Sequence, residues 1–371
     1  MRKSVAFYYK NGFDSKSGGV QSVSLSLANE FRNRNYTVFL ISEMEYDFDQ
    51  ELNINHVVLT NNRKKSLSLI KELIAENKIE LIINQEGLSN RAKKDMLKVF
   101  TLYHCRLVSF IHNDPRAPIY DFTYKLFKNN NILDVSFFRS IVTFLYFVKH
   151  RRSYRDLVEY SSKTIVLAES YGSFISDKCN LPLHSFEVIP NPVKYNCIVD
   201  MEKKDIVLYV GRLNISQKRV DSLLRIWHNV ELENVKATLR LIGGGDDSIV
   251  LKDLSRKLRL ERTEFEGFKD PKEDYSRAKV LCLTSAFEGF PLVLYEALKF
   301  GVVPIVFDTF SSAKDIIIDG YNGRIIDKGD EVEFKNAILE VLRNYKKYFE
   351  NIEEFQKNIP TVGMIYDRIQ G

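Results

Sequence analysis

The sequence predicts an α/β protein made of two doubly wound, Rossmann-like domains that face each other across a cleft. Its 371 residues exceed what one hydrophobic core usually organises. Short apolar runs alternate with amphipathic segments along almost the whole chain, as in parallel sheets covered by helices on both faces. A proline-broken, polar stretch near residues 190–205 interrupts the alternation and separates two halves of similar size.

In the first half, six short apolar runs predict strands, and the helical pattern between them is clearest at residues 20–34 and 67–77. The predicted strands are residues 5–9, 37–41, 81–84, 107–111, 164–167 and 186–189. We place the N-terminal domain at residues 1–192, with the tail at 352–371 able to pack back on it.

The second half repeats the alternation, and we place the C-terminal domain at residues 200–351. Its predicted strands are residues 206–210, 238–242, 263–266, 280–283 and 304–307, and its predicted helices are residues 219–230, 249–258, 271–276, 291–299 and 331–349. Ligands of such sheets bind at the carboxyl ends of the strands, so the loops that follow the strands should carry the chemistry.

The composition excludes several classes of protein. Hydrophobic residues make up 44% and charged residues 28% of the chain, which excludes a disordered or low-complexity protein. The net charge of +5 is too mild to indicate a nucleic-acid partner by itself, and we find no nucleic-acid-binding module. The four cysteines are scattered, with no pair at CxxC spacing, which predicts a reduced compartment and no structural zinc.

The chain shows no targeting or membrane-spanning segment. The apolar run within residues 1–10 is too short for a secretory signal, and it fits a buried first strand better. The most apolar later stretch, residues 135–148, contains Arg139 and is shorter than the roughly 20 residues that span a bilayer. We therefore expect a cytoplasmic protein, with peripheral contact to the cytoplasmic membrane face left open.

Two features of the first half lie at predicted strand ends. Gly18 and Gly19 follow the first strand, where glycine lets the backbone approach a ligand and a helix start offers N–H groups to an anion. An ordinary strand-to-helix turn explains this pair better when it is taken alone. His112 follows the strand at 107–111, where it could meet a substrate or be purely structural.

Two cations stand at the start of the second domain. Arg212 ends a strand and Lys218 opens the next helix, so both can converge on the cleft. No acidic residue lies between them in the sequence, which suits a diphosphate ligand. A solvated charge cluster is an equally good explanation of these two residues alone.

A glycine turn in the second domain nearly matches a dinucleotide fingerprint. Gly243, Gly244 and Gly245 follow a strand, with Ser248 in place of the last glycine and Glu264 about 20 residues further on. This is the best support for a nicotinamide-dependent dehydrogenase, but it is weak because the last glycine is missing and the turn lies in the second domain.

The most informative stretch joins a strand end to a helix start. It runs Thr284-Ser285-Ala286-Phe287-Glu288-Gly289-Phe290-Pro291-Leu292, and Glu296 lies on the helix that follows. Pro291 suits a first helical turn, whose free N–H groups can face phosphates. With Glu288 in the loop, Glu288 and Glu296 can reach one polyhydroxyl ligand. A helix cap explains one acid, but the two acids with the upstream cations favour a ligand site.

Taken together, these motifs resemble the retaining glycosyltransferases of the family-4 type (glycosyl transferases group 1), which have the two-domain GT-B architecture. The resemblance is strong in the second half, and Gln21 departs from the glutamate that many members have. The motifs are Gly18-Gly19-Val20-Gln21, Ile189-Pro190-Asn191, Val210-Gly211-Arg212-Leu213, Lys218, Ile242-Gly243-Gly244-Gly245 and the pair Glu288 and Glu296, together with His112.

The resemblance implies roles for these positions. Arg212 and Lys218 would hold the diphosphate of a nucleotide-sugar donor, Glu296 would accept hydrogen bonds from the ribose, and Glu288 would hold the sugar. His112 would lie near the reacting carbon or O6 of the sugar. The remaining donor-binding positions are Gly18, Gly19, Gly243, Gly244, Phe268, Gly289, Phe290, Pro291 and Leu292.

The resemblance also implies a reaction, which is transfer of the sugar to a glycan or lipid-linked glycan acceptor in polysaccharide biosynthesis. Charge builds on the departing phosphate in an oxocarbenium-like transition state, and fixed cations can stabilise it. We find no DxD motif at a strand end near these loops, so we expect no metal, no cofactor and a same-face, retaining mechanism. A non-hydrolysing nucleotide-sugar epimerase and an inactive binding protein of the same fold remain alternatives.

Residues 125–163 combine basic and aromatic side chains, as a helix lying on an anionic membrane surface would. The basic residues are Lys125, Lys128, Arg139, Lys149, Arg151, Arg152, Arg155 and Lys163, and the aromatic ones include Phe137, Phe138, Phe144 and Phe147. A core helix with a solvated basic end is the competing interpretation, and the sequence slightly favours it.

Overall fold

The structure is a computed structural model that describes residues 2–13, 19–45, 54–87, 94–127, 135–193, 195, 202–233 and 236–371. The chain divides into two compact units. The N-terminal unit comprises Met1–Lys194 with Pro360–Gly371, and the C-terminal unit comprises Tyr195–Ile359.

The N-terminal unit is built on a seven-stranded parallel sheet in the order β3-β2-β1-β4-β5-β6-β7. Its strands are β1 (Ser4–Tyr8), β2 (Thr37–Ser42), β3 (Asn55–Val58), β4 (Ile79–Asn84), β5 (Arg106–Ile111), β6 (Lys163–Val166) and β7 (Phe186–Val188). Its first six helices are α1 (Gly19–Asn33), α2 (Arg63–Glu76), α3 (Lys94–Phe100), α4 (Ala117–Phe127), α5 (Val135–Tyr160) and α6 (Glu169–Cys179). Every residue of β1 is buried, as expected of a central strand covered on both faces.

The C-terminal unit is built on a six-stranded parallel sheet in the order β10-β9-β8-β11-β12-β13. Its strands are β8 (Ile206–Val210), β9 (Thr238–Ile242), β10 (Thr263–Gly267), β11 (Val280–Leu283), β12 (Val303–Phe307) and β13 (Arg324–Ile326). Its helices are α7 (Val220–Leu232), α8 (Ser248–Lys257), α9 (Lys272–Arg277), α10 (Leu292–Lys299), α11 (Ala313–Ile316), α12 (Glu331–Arg343) and α13 (Tyr345–Phe355). The strand order reverses between β8 and β11, which is where doubly wound sheets bind ligands.

The last helix, α14 (Val362–Gln370), packs on the N-terminal unit against α1. Ile365 and Ile369 are buried, and the ring of Tyr366 lies 4.7 Å from that of Phe31. The chain leaves the C-terminal unit only at Pro360, because α13 stays on that unit. Within the described ranges, no helix is both long and apolar enough to cross a bilayer.

The sequence-predicted fold class is confirmed, with differences in single elements. The predicted helix at 331–349 is wrong, because Asn344 leaves helical geometry (φ −109°, ψ 23°) and divides the segment into α12 and α13. The edge strands β3 and β13 were not predicted, because each is short, begins with a polar residue and is only partly buried, so neither forms a continuous apolar run.

Candidate functional site

Two loops meet where the strand order reverses in the C-terminal unit. β8 and β11 are neighbours, and the loops that follow them are joined by hydrogen bonds. The N–H of Ala286 donates to the carbonyl of Gln217 at 2.7 Å, and the hydroxyl of Thr284 donates to the carbonyl of Arg219 at 2.9 Å. These bonds hold the residues on either side of them together, including Lys218 and Glu288.

Lys218 and Glu288 form a shielded ion pair. The Lys218 Nζ donates to both oxygens of Glu288, at 2.6 and 2.9 Å, and the Ser285 hydroxyl donates to Oε1 at 2.6 Å. The side chain of Glu288 is 6% exposed and that of Lys218 is 17% exposed. No acidic residue lies between Arg212 and Lys218 in the sequence, but Glu288, 70 positions beyond Lys218, supplies a carboxylate partner. An ammonium has three donors, so the amine keeps one for an anion.

Arg212 is the second cation of this loop. Its side chain is exposed and forms no ion pair with any residue that the structure describes. The buried hydroxyl of Tyr209 donates to its backbone carbonyl at 2.6 Å, which fixes the backbone. Burial, followed by the charge of Glu288, raises the pKa of Tyr209, so the hydroxyl remains a donor. A held backbone with an open guanidinium suits an anionic ligand.

The helix that follows Glu288 begins at Leu292, and Pro291 is its N-cap, one residue before the position expected from the sequence. The first N–H groups of α10 have no acceptor within the helix, so an anion can satisfy them. The Ser312 hydroxyl donates to the Gly289 carbonyl at 3.0 Å, and the ring of Phe290 lies 5.7 Å from that of Tyr295. These contacts fix the turn that precedes the helix.

Glu296 lies on α10 and is oriented by a buried tyrosine. The Tyr275 hydroxyl donates to Glu296 Oε2 at 3.1 Å, and its ring stacks on Phe300 at 5.7 Å. Burial is the main cause that raises the pKa of Tyr275, and the charge of Glu296 adds to it, so the phenol stays protonated. Glu296 is therefore held as a partly exposed carboxylate, the kind of acceptor that a vicinal diol needs.

The glycine turn after β9 is explained by packing. A Cβ on Gly243 would lie 1.9 Å from the Gly211 carbonyl oxygen, and one on Gly245 would lie 2.3 Å from that of Leu213. A Cβ on Gly244 would meet nothing within 4 Å. Two of the three glycines thus permit close contact between two loops, which removes much of the support for a dinucleotide fingerprint.

Other contacts agree with that conclusion. Glu264, the acid expected about 20 residues beyond such a fingerprint, forms an ion pair with Arg240 at 2.7 Å. The Gly243 N–H donates to the Gly267 carbonyl at 2.8 Å, which ties the glycine turn to the turn after β10. Phe268 follows there, 85% exposed. An aromatic ring held open beside a backbone turn is suited to stacking on a planar base.

In the N-terminal unit, His112 follows β5 and is buried between two amide side chains. Its Nε2 lies 2.5 Å from Gln85 Oε1, so with this amide orientation Nε2 carries the proton. Burial lowers the pKa of His112 to about 4, and Asn191 opposes this in part. The imidazole is therefore neutral near pH 7.

Three buried polar atoms around His112 lack a hydrogen-bond partner in the described part of the chain. They are His112 Nδ1, Gln85 Nε2 and Asn191 Oδ1. With the Gln85 amide turned and the proton on Nδ1, these atoms pair with one another, so Gln85, His112 and Asn191 form one buried polar cluster. Of the predicted glycine loop, Gly19 begins α1, whereas Gly18 lies outside the described residues.

Sequence reasoning missed four residues that hold the predicted ones. They are Gln85, Ser285, Tyr275 and, as a contact of His112, Asn191. Gln85 and Ser285 lie just beyond strand ends, which is a signal that the sequence offers. Tyr275 lies on α9, a short and mostly polar helix, and nothing in its spacing connects it with Glu296.

The two parallel α/β units, each with polar residues beyond its strand ends, place the chain in the GT-B class of folds. Residues 199–358 match the family model for glycosyl transferases group 1. That part of the chain is similar to this family, and the resemblance inferred from the sequence is confirmed there.

The chain is similar to curated glycosyltransferases over part of its length. It is 27% identical over 224 residues to the lipopolysaccharide 1,6-galactosyltransferase of Salmonella typhimurium, covering 57% of this chain and 61% of that protein. It is 32% identical over 155 residues to an undecaprenol-linked-glycan α-1,4-N-acetyl-D-galactosaminyltransferase of Campylobacter jejuni, covering 40% and 42%. The matches thus span less than two thirds of these relatives.

A solved structure extends the likeness of fold to the whole chain. The Anabaena protein Alr3699/HepE in complex with UDP superposes with a TM-score of 0.73 at 16% identity, covering 99% of this chain and 98% of that one. The same protein has also been solved in complex with UDP-glucose.

Proposed function

We propose that the protein is a glycosyltransferase that moves a sugar from a nucleoside-diphosphate sugar to a glycan or lipid-linked glycan acceptor, in polysaccharide assembly. The observation that carries the proposal is the set of Lys218, Glu288 and Arg212 where the strand order reverses in the C-terminal unit, with Glu296 on the next helix. The galactosyl- and N-acetylgalactosaminyltransferases among the relatives, and the UDP-bound structure of similar fold, support it.

The donor is held mainly by the C-terminal unit. Arg212, the remaining N–H of Lys218 and the first N–H groups of α10 bind the diphosphate, since all are donors without a competing anion. Glu296 accepts hydrogen bonds from the ribose hydroxyls, and Phe268 stacks on the base. The space beside Gly244 is open, so the ligand can approach the protein backbone closely there.

Glu288 has two tasks in this proposal. It fixes the Lys218 amine, and its oxygens accept hydrogen bonds from hydroxyls of the donor sugar. The backbone around Gly289 and Phe290 holds the sugar in the same turn. Both tasks need a carboxylate that stays in place, which the Ser285 hydroxyl ensures.

The reaction breaks the bond between the anomeric carbon and the diphosphate oxygen, and the diphosphate leaves with the electron pair. The acceptor hydroxyl attacks from the same face, and its proton passes to the departing phosphate oxygen. Arg212 and Lys218 stabilise the charge that develops there, which is the task given to a metal ion in other transferases. The neutral imidazole of His112, in the N-terminal unit, hydrogen-bonds a sugar hydroxyl.

The acceptor is bound by the N-terminal unit. A cavity of about 410 Å³ lies beyond the ends of β2 and β3, and a ligand pocket of this size is ordinary. Its lining residues are Glu43, Leu59, Thr60, Asn61, Arg63, Ser66 and Met96. Carboxylate, hydroxyl and amide groups of this kind suit sugar hydroxyls. We further propose that the protein works in the cytoplasm, peripherally on the membrane face that presents a lipid-linked acceptor.

The test is the anomeric configuration of the product. The donor is chosen by a thermal-shift screen of UDP-, GDP- and ADP-sugars, because a ligand of the folded state raises its apparent stability. The chosen donor is then incubated with aryl glycosides and a polyprenyl-diphosphate-linked oligosaccharide, and the product is examined by NMR. We expect the anomeric configuration of the donor to be kept. An inverted linkage would refute the same-face mechanism, and an epimerised donor without transfer would refute the transferase.

A further inference from the structure

One face of α5 exposes a continuous row of apolar side chains. Phe137 and Phe144 are 69% and 68% exposed, and their neighbours on the helix are also open. The row consists of Phe137, Ile141, Phe144, Leu145 and Val148. At about 100° per residue, these five positions fall within a sector of roughly 100°. Phe147, Tyr154 and Leu157 lie on the opposite side and are buried. One side of the helix is thus buried, and the other side exposes apolar side chains.

The same face becomes cationic in the second part of the helix. Arg152 and Arg155 continue the sector of the apolar row, and Lys149 and Arg151 flank it, all with exposed side chains. None of these four residues forms an ion pair within the part of the chain that the structure describes. Arg151 and Arg155 donate to the carbonyl of Cys179, at 3.1 and 3.3 Å, which steadies them and leaves their charges uncompensated.

The remaining cations in this region are engaged elsewhere. Arg139 lies over the ring of Tyr120, 4.7 Å from its centroid, and Lys163 pairs with Glu187 at 3.5 Å. The side chain of Lys125 and all of Lys128 lie outside the described residues. The basic character of residues 125–163 is therefore concentrated, among the described side chains, on four residues of a single helix.

The interpretation of residues 135–148 as a helix buried in the core is wrong for this face, because its five apolar side chains are at least 42% exposed. A second copy of the chain fits the face poorly. Two α5 helices packed in parallel would set cation against cation, and two packed in antiparallel would bury unpaired guanidinium groups against phenylalanines. An anionic lipid surface is complementary to both parts of this face. Its acyl chains can surround the apolar side chains, and its phosphates can pair with the cations.

We propose that this face of α5, from Phe137 to Arg155, is the surface by which the protein binds an anionic lipid bilayer. It is about 27 Å long at 1.5 Å per residue. The end that carries Phe137, Phe144 and Val148 inserts below the headgroups, and Arg152 with Arg155 contacts the phosphates. Phe122, also half exposed, lies on α4, the helix that packs against α5.

Vesicle sedimentation of the full chain tests the proposal. We expect binding to vesicles that contain phosphatidylglycerol, little binding to pure phosphatidylcholine, and release by high salt. Lys149→Glu with Arg152→Glu should weaken binding by at least about tenfold, since each basic residue near the surface adds substantially to affinity. Lys257→Glu with Arg343→Glu, which changes the net charge equally on the C-terminal unit, should bind as the wild type does.

The apolar row is tested separately. Phe137→Ser with Phe144→Ser should also lose binding, whereas Ile249→Ser with Val250→Ser, a pair that is similarly exposed on α8, should not. Phe144→Trp should show a blue-shifted emission on vesicle binding, against the constant background of the single, fully buried Trp227. Thermal unfolding of each variant confirms that it is folded.

Three results would overturn the proposal. They are equal binding by wild type and the α5 variants, no binding to anionic vesicles at low salt, and a dimer in solution that Phe137→Ser with Phe144→Ser abolishes. Vesicle binding is measured without donor or acceptor. Its failure therefore leaves the transferase proposal standing, and a failure of transfer leaves this proposal standing.

Discussion

At the scale of single residues, the candidate site depends on charges that are held by neighbours rather than by solvent. Lys218 is fixed by Glu288, which Ser285 holds in turn, while Arg212 is left open. An amine pre-positioned in this way needs no rearrangement when charge develops on a leaving phosphate, and this preorganisation is the main source of electrostatic catalysis.

Lys218→Ala should lower kcat by about 10²–10³, because removing one preorganised donor to a developing anion has that effect. The substitution leaves a buried carboxylate unpaired, so thermal unfolding must be measured beside turnover. Lys335→Ala is a matched control, since Lys335 is 19% exposed and pairs with Glu233 at 2.8 Å on the outer helix α12. Unchanged turnover in Lys218→Ala would remove this residue from the mechanism.

His112 gives the stability of the protein a predictable dependence on pH. The pKa of His112 is lowered to about 4 by burial, against 6.5 for an ordinary histidine. Between pH 6.5 and 4 the unfolded chain takes up a proton that the folded chain does not, so the free energy of unfolding falls as the pH falls. The loss reaches roughly 2 kcal/mol by pH 5.

The comparison of wild type with His112→Gln isolates this effect, because the other titrating groups are common to both proteins. Between pH 7 and pH 5, denaturant unfolding should show the variant gaining about 2 kcal/mol relative to the wild type. A constant difference between the two proteins across this range would show that His112 titrates normally and is not shielded.

At the scale of the elements, the loops beyond β8, β9 and β11 form one interlocked structure. Leu213 N–H donates to the Gly244 carbonyl at 2.9 Å, and Gly211 N–H donates to the Ile242 carbonyl at 3.0 Å. The hydrogen bonds from Thr284 and Ala286 join the third loop. The side chains of the site are therefore placed by backbone contacts between adjacent strands of the sheet.

Two of the three glycines after β9, Gly243 and Gly244, should respond differently to substitution. Gly243→Ala should destabilise the protein by more than about 2 kcal/mol, because its φ of +134° disfavours a side chain and its Cβ would overlap the Gly211 carbonyl. Gly244→Ala should change stability by less than about 0.5 kcal/mol. Chemical denaturation measures both values, and equal values would contradict this account of the turn.

Long amphipathic helices, and strands formed by a continuous apolar run, could be predicted from the sequence. β8, β9 and β11 have the predicted limits, since each is a short buried run bounded by turn residues. α6 was not predicted, because Gly172 and three serines weaken its pattern. Of the site, the sequence indicated Arg212, Lys218, Glu288 and Glu296, but not the pairing of Lys218 with Glu288, which the adjacency of β8 and β11 brings about.

At the scale of the whole molecule, the positions of individual charges are more informative than the net charge. The net charge of +5 is mild, yet four cations without ion-pair partners in the described structure lie on one face of α5, and Arg212 and Lys218 lie at one strand edge of the other unit. The apolar row of α5 belongs to the unit that we propose binds the acceptor. Membrane binding and donor binding are thus assigned to different units of the chain.

The central claim is that the C-terminal unit binds a nucleoside diphosphate through Arg212, Lys218 and Glu296. Isothermal titration of the full chain with UDP, GDP and ADP tests it most directly. We predict that one of them binds, and that Arg212→Ala and Glu296→Gln each weaken that binding by about 10- to 100-fold, because each removes a charged hydrogen bond. Binding of none of the three, or equal binding by wild type and both variants, would contradict the claim.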